Sequence, residues 1–397
     1  MELLQSGCEG GAEAVLELKP NSSLSIAYHP RFGPHDDLFL IELDEKLLPD
    51  FLHQSVTLRG QPDEDAVLCT LSKTYAVKFV GSSNSVFLIP PSDSSISREA
   101  SEDASVRSDD KKTVASVIKV APGCMELVEV APRLDKLRML LSQNPYSFDE
   151  ASEMDISEAV DEGRFLYTWD DLVESVQASD EELRAGLQAL SAVEINGYWR
   201  ILDEKYMDAV LNMLLHNSVI NNWSLNRLIE DDVLHVMEGD GFPSKIAKHC
   251  IQVHGSKVEE GSSRSSIWKL DEKKICVHFA REILRGKKMK TETFLEEWRL
   301  RIPDGMKPCF EMLEGEVLTE KLGIDTWVYP FSVSSLSSVP AERFSVLFQE
   351  RPKWEWKDLH PYVRDLKVPG LSLEGLLLKY TRRTQPTADA EPIFSVR

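Results

Sequence analysis

The stretch Ala178-Ser-Asp-Glu-Glu-Leu-Arg-Ala-Gly-Leu-Gln-Ala-Leu-Ser-Ala-Val-Glu-Ile-Asn-Gly-Tyr-Trp-Arg-Ile-Leu202 decides how the chain is read. Ser179 and Glu182, three residues apart, spell a capping box, in which each side chain satisfies an orphaned amide at a helix start. Leu183, Leu187 and Leu190 recur at helical spacing and make one apolar stripe. The helix is expected to stop at Ser191. Val193 and Ile195 then lead into Asn196-Gly197, which tolerates positive φ at both turn positions and so predicts a tight hairpin. Tyr198, Trp199, Ile201 and Leu202 form the return strand. Upstream, Thr168 with Asp171 predicts another capped helix carrying Leu172, Val173 and Val176. Leu134, Leu137, Leu140 and Leu141 predict a further one, closed by Asn144-Pro145 because proline disfavours helix at the residue before it. Helix, helix, helix, hairpin is the order of a winged helix.

The pattern comes back. Tyr198-Trp199-Arg200-Ile201-Leu202-Asp203-Glu204-Lys205 is echoed by Ile267-Trp268-Lys269-Leu270-Asp271-Glu272-Lys273. Both strings run from a strand into a helix start, about one winged-helix length apart. Between them Met207–Leu215, Trp223–Met237 and Pro243 to about Val253 read as helices, and Lys257–Ser266 as a polar wing tip. A third round begins at Asp271, with Ile275, Phe279 and Ile283 on one face. Thr291 or Thr293 is the cap for a helix with Phe294, Leu295 and Trp298. Met312, Leu313 and Leu318 precede a wing that ends at Pro330. A tail adds helices at Glu342–Phe348, Trp356–Asp365 and Leu371–Tyr380.

The N-terminal third differs. Residues 1–24 read as a frayed terminus or an edge strand. Leu38–Leu43, Val56–Arg59, Ala66–Cys69, Thr74–Val80 and Val86–Ile89 have strand length, and so do Val114–Val120 and Met125–Val130, joined by a turn at Pro122-Gly123. Five closely spaced strands suggest a barrel or sandwich, yet are few for a barrel that closes alone. The serine-rich, charged segment 91–112 cannot bury enough apolar surface to order itself and reads as a disordered insertion. The expected division is therefore α+β: a β-rich domain over 1–130, winged helices over 131–202 and 203–270, and a third with a helical tail over 271–397.

Composition narrows the chemistry. The 397 residues carry 66 acidic and 45 basic side chains, a net charge of −21. Such a chain repels nucleic-acid phosphates as a whole, so any DNA contact needs a local basic face. Six cysteines without CxxC spacing read as reduced intracellular thiols. No apolar run approaches membrane-span length, and no signal peptide is evident. There is no GxxxxGK[ST], no GxGxxG after a strand, no HExxH and no GxSxG, so an enzyme is not expected, nor any cofactor. His249, Cys250 and His254 are the nearest approach to a metal cluster, but a five-residue offset does not put both histidines on one helix face.

Charge position separates the repeats. The Ser179 helix, which a DNA reader would place in the major groove, opens on Asp180-Glu181-Glu182, so the first unit is expected to bind protein. Arg281–Lys307 holds eight basic against five acidic residues, and Arg351–Arg383 eight against four. Lys287, Lys288, Lys290, Arg299, Arg301, Lys353, Lys357, Arg364, Arg382 and Arg383 are the candidates for phosphate contact, interleaved with Trp298, Trp354 and Trp356. A solvated surface over core tryptophans is the competing reading.

Several stretches together resemble the Dcc family of sister chromatid cohesion proteins. They are Leu38-Phe-Leu-Ile-Glu-Leu-Asp-Glu, Ala66-Val-Leu-Cys-Thr, Lys73-Thr-Tyr-Ala-Val, Ser83-Asn84, Phe87-Leu-Ile-Pro, Asn144-Pro-Tyr, Ala178-Ser-Asp-Glu-Glu-Leu, Gly197-Tyr-Trp-Arg-Ile-Leu and Val368–Tyr380. The match runs in order over about residues 28–385. The resemblance implies a subunit of the alternative, cohesion-linked replication factor C clamp loader, working in the nucleus beside the replication factor C small subunits. It implies that the β-domain forms a shared barrel with the small companion subunit and the tail of the large ATPase subunit. Leu38, Leu40, Val67, Tyr75, Val77 and Phe87 are then candidates for pairing with partner strands. It further implies that the first winged helix docks DNA polymerase epsilon, that later ones contact DNA, and that the sliding clamp is handled indirectly. A stand-alone nuclear DNA-binding regulator with tandem winged helices is the rival reading.

Overall fold

The computed structural model describes residues 24–89, 96–98, 113–148, 165–258, 265–385, 387 and 390–397. It is a mixed α+β chain of small open sheets and helices, with no closed barrel among the described residues. Two compact units emerge: 1–54 with 75–128, and 55–74 with 129–397. Residues 55–74, read from sequence as part of the β-rich domain, thus belong with the helical repeats.

The first unit is built from strands. β1 (Leu24–Tyr28) pairs in parallel with β7 (Thr113–Val117), and β6 (Ile96–Arg98) flanks β7 on its other side. β6 falls inside the segment expected to be disordered; the rest of 91–112 lies outside the described residues. β2 (Ile41–Glu42) pairs in parallel with β8 (Lys119–Val130), and β5 (Thr74–Leu88) lies beside β8. A 3-10 turn and α1 (Leu48–His53) follow β2.

Two expectations fail here for one reason. Thr74–Val80 and Val86–Ile89 are parts of the single strand β5, and Pro122-Gly123 is strand, not turn. A Cβ on Gly123 would sit 2.1 Å from the Val80 carbonyl oxygen and 2.9 Å from Gly81 Cα. These glycines let two long strands approach closely, and a turn reading mistakes their purpose.

The second unit repeats one order of elements. It begins with the hairpin β3 (Thr57–Arg59) and β4 (Val67–Cys69), paired Leu58 to Leu68. The first repeat has α2 (Leu134–Ser142), α3 (Trp169–Ser175), α4 (Asp180–Ala189) and the hairpin β9 (Val193–Ile195) and β10 (Tyr198–Arg200). Both predicted capping boxes form, Thr168 with Asp171 and Ser179 with Glu182. Asn196 and Gly197 take φ of 51° and 85°, as a two-residue hairpin turn requires. Leu183 and Leu187 pack with Leu137, Leu141 and Leu172 in one buried cluster. Gly186 permits this contact: a Cβ there would meet Leu134 Cδ2 at 2.7 Å.

The second repeat runs α5 (Glu204–Ile220), β11 (Leu228–Ile229), α6 (Glu230–Gly239), α7 (Ser244–His254), β12 (Gly255–Val258) and β13 (Ile267–Leu270). The expected helix Trp223–Met237 is thus a turn and short strand before α6. The sequence echo has a local cause. Trp199 and Trp268 sit on the returning hairpin strand, and Asp203 and Asp271 cap the next helix.

The third repeat has α8 (Glu272–Leu284), β14 (Met289–Lys290), α9 (Thr291–Arg301), a 3-10 turn at Phe310–Leu313 in place of the third helix, β15 (Val317–Leu322) and β16 (Asp325–Pro330). Neither threonine caps α9. Lys290 precedes it without a side-chain bond, and Thr291 Oγ1 is buried without a partner. The tail is more than helices. α10 (Pro340–Glu350), β17 (Lys353–Glu355), α11 (Trp356–Val363), α12 (Leu373–Tyr380), β18 (Thr381–Thr384) and β19 (Ile393–Val396) repeat the same order a fourth time. In the last three repeats the final strand lies centrally, between the short strand and its hairpin mate. Repeats two and three share one core, from Tyr206 to Val328, while Leu318, Tyr329 and Phe331 of the third repeat join the core of the fourth.

Candidate partner and nucleic-acid interfaces

Among the described residues, the strand-rich unit contributes nothing to the buried hydrophobic clusters. Its buried apolar side chains are Leu47, Tyr75, Ala115, Val117 and Ala121. Meanwhile Tyr28 is 74% exposed, Phe39 64% and Phe79 56%, with Ile26, Leu52 and Phe87 also in solvent. Among the described residues, β1, β2 and β6 lie at sheet edges, where backbone donors and acceptors face outward.

The six residues expected to pair with partner strands divide. Leu38 and Phe87 are exposed, Leu40 and Val77 half-buried, Val67 and Tyr75 buried. Val67 is already opposite Arg59 in the hairpin β3–β4. Side chains of Val67 and Tyr75 face the interior of this chain, so the accessible face is carried by the other four.

That hairpin closes over the start of α4. The Arg59 guanidinium donates to the Ala178 carbonyl and to the Asp180 carboxylate. Thr74 Oγ1 donates to Glu182 at 2.6 Å and accepts from the Ser179 amide at 2.9 Å. The Glu181 amide donates to the Leu71 carbonyl, and Gln177 to the Asp65 carbonyl at 2.6 Å. Lys136 pairs with Glu64 at 2.6 Å, which with the Gln61 amide holds that carboxyl below the usual range. A helix-turn-helix reads bases with the start of its recognition helix. Here that end is occupied by the chain's own hairpin, a relationship no local pattern could show.

The basic candidates also divide. Lys288 pairs with Glu320 and lies 5.1 Å from the Tyr329 ring centroid. Lys290 is 2.7 Å from Asp325, whose carboxylate holds the ammonium pKa above its usual range. Arg301 bridges Glu282 at 2.9 Å and Glu297 at 3.2 Å, and Lys357 pairs with Glu355 at 2.8 Å. Lys287, Arg299, Lys353, Arg364, Arg382 and Arg383 are exposed and have no carboxylate partner among the described residues. Lys353 and Arg382 flank Ser395 across the sheet β17–β19–β18, so all three share its outer face. The opposite face turns Trp354 and Phe394 inward.

The interleaved tryptophans are structural. Trp298 is buried and donates to the Cys276 carbonyl at 2.8 Å; Trp354 is buried and donates to the Leu347 carbonyl at 2.9 Å. Trp356 is half-buried against His360 and Phe394. They offer no stacking platform for bases. The two histidines considered for metal binding have separate partners, His249 with the Ser191 carbonyl at 2.8 Å and His254 with the Cys250 carbonyl at 3.1 Å.

Tandem repeats of one helical unit, joined to a strand-rich unit with exposed aromatic side chains, define a chain organised around surfaces. The family model described as sister chromatid cohesion protein Dcc1 matches residues 38–363. Sister chromatid cohesion protein DCC1 of Homo sapiens is 31% identical over 350 residues, covering 87% of this chain and 85% of that protein. The protein of that name from Saccharomyces cerevisiae is 22% identical over 388 residues, covering 91% and 97%. A probable member from Dictyostelium discoideum is 25% identical over 374 residues, covering 88% and 91%. The chain belongs to the Dcc1 family.

Proposed function

We propose that this chain acts in sister chromatid cohesion as a non-catalytic subunit of the alternative replication factor C clamp loader. Family membership supports the cohesion role, which the relatives carry in their names. The observation that carries the assembly role is the strand-rich unit. Its exposed aromatic side chains and sheet edges would be covered by strands of the large ATPase subunit and the small companion subunit. Burying a side chain such as Phe79 or Tyr28 is worth roughly 1.5–3 kcal/mol, so covering several of them would favour assembly.

The four repeated units are read as tandem winged helices, one more than expected. With its helix start covered by the hairpin, the first would serve polymerase epsilon docking, and the exposed cations of the third and fourth would contact DNA. ATP hydrolysis would belong to other subunits, and the place of action to the nucleus. The test is purification of the tagged chain from nuclear extract at moderate salt, with mass spectrometry. Clamp-loader small subunits and polymerase epsilon in comparable amounts are expected. A monomer free of them, binding duplex tightly at physiological salt, would install the stand-alone regulator instead.

A further inference from the structure

An open groove of about 550 Å³ lies where the first helical repeat meets the second and the start of the third. Its floor is apolar, from Leu187 of α4, Ala192, Trp199 of β10 and Val253 of α7. Its charged lining is Arg184 and Lys274; the remaining polar liners are Gln188, Ser191, His249 and Gln252, and no carboxylate contributes. In a chain with 66 acidic against 45 basic residues, a groove whose charged lining is only cationic stands apart.

The cations are held in place yet available. The Arg184 guanidinium lies over Trp169, 4.2 Å from the ring centroid, and has no carboxylate partner among the described residues. Lys274 donates one proton to the Val253 carbonyl at 2.8 Å, leaving two donors free. His249 adds no charge: burial pushes its pKa below the usual value, and its Nε2 donates to the Ser191 carbonyl. The same bond ties α7 to the end of α4, so the two walls are joined below the opening.

We propose that this groove binds an acidic linear peptide, seating one apolar side chain on the Leu187–Trp199 floor between carboxylates that meet Arg184 and Lys274. Its volume falls within the roughly 300–1,000 Å³ typical of ligand pockets. The exposed amides of Gln188 and Gln252 match a peptide backbone. Duplex DNA fits less well, because a phosphate-tracking surface uses many cations rather than two and gains nothing from an apolar floor. The inference is independent of the clamp-loader reading, since it rests on the groove alone.

The test uses the full chain labelled with 5-fluorotryptophan, the Trp199 resonance being assigned with Trp199→Phe. The probe is a short synthetic peptide with a phenylalanine flanked on both sides by glutamates. The Trp199 resonance is expected to shift, binding to weaken as salt rises, and the Arg184→Glu, Lys274→Glu variant to lose affinity by about tenfold or more. Lys274→Glu with Gln252→Glu, two exposed positions, is expected to do the same while leaving the Arg184–Trp169 stack intact. Three results would overturn the proposal: no shift, equal binding by a lysine-flanked peptide, or equal binding by the charge-reversed variants. A shift produced by duplex DNA and not by the peptide would overturn it too.

Discussion

Arg59 and Asp180, 121 residues apart in the chain, form an ion pair that fastens the β3–β4 hairpin to the first turn of α4. The Arg59 side chain is only 6% exposed and also serves the Ala178 carbonyl. Removing it strands a carbonyl and a carboxylate at the same helix start. Arg59→Ala is therefore expected to destabilise the helical unit by about 2–3 kcal/mol. Chemical denaturation measures this. Asp180→Asn, which keeps an acceptor at a partly exposed position, is expected to cost less.

Acid should loosen the same unit. Burial, reinforced by the neighbouring His278, pushes the His254 pKa down to about 4. Unfolded, the group titrates near 6.5. The depressed folded value means that the unfolded chain binds the extra proton between those limits. Stability from neutral His254 is thus complete above about pH 6.5 and falls as pH drops toward 4, by about 1 kcal/mol at pH 5.5. Denaturation midpoints at several pH values check this, and His254→Gln should flatten the dependence.

Paired and unpaired cations should behave differently toward DNA. Lys353→Glu with Arg382→Glu removes two charges that have no carboxylate partner among the described residues from one sheet face and is expected to lower the salt slope of duplex binding by about 2. Lys288→Glu with Lys290→Glu alters residues already committed to Glu320 and Asp325. A smaller change is expected there. Titrations across salt concentrations, with both variants side by side, decide it.

A fragment ending at Val130 is expected to be insoluble or loosely folded. It would carry the exposed face of the strand-rich unit and would also cut the hairpin at 57–69 from Arg59's partners. A sharp, reversible melt of that fragment would contradict the account.

Local signals explain which parts of this architecture the sequence discloses. Thr168, Ser179 and Asn196-Gly197 act through bonds and φ values within a few residues, and each is found where its spacing puts it. The fourth repeat leaves little trace in the sequence because its sheet is built from strands of three or four residues, too short for an alternating pattern. Gly123 read as a turn because glycine marks turns and close approaches alike. The neutralised part of the basic patch depends on cross-strand and inter-helix partners such as Glu320, Asp325 and Glu282. Counting charges along the chain cannot reveal those. The cover over α4 is likewise a contact between distant segments.

The most direct measurement is co-expression of the full chain with the small companion subunit and the C-terminal tail of the large ATPase subunit, followed by mass determination of the purified product. The account predicts one complex containing one copy of each, with solvent exchange suppressed along β1, β2 and β6. Separate elution of the full chain, with those strands exchanging as fast as in isolation, would contradict it.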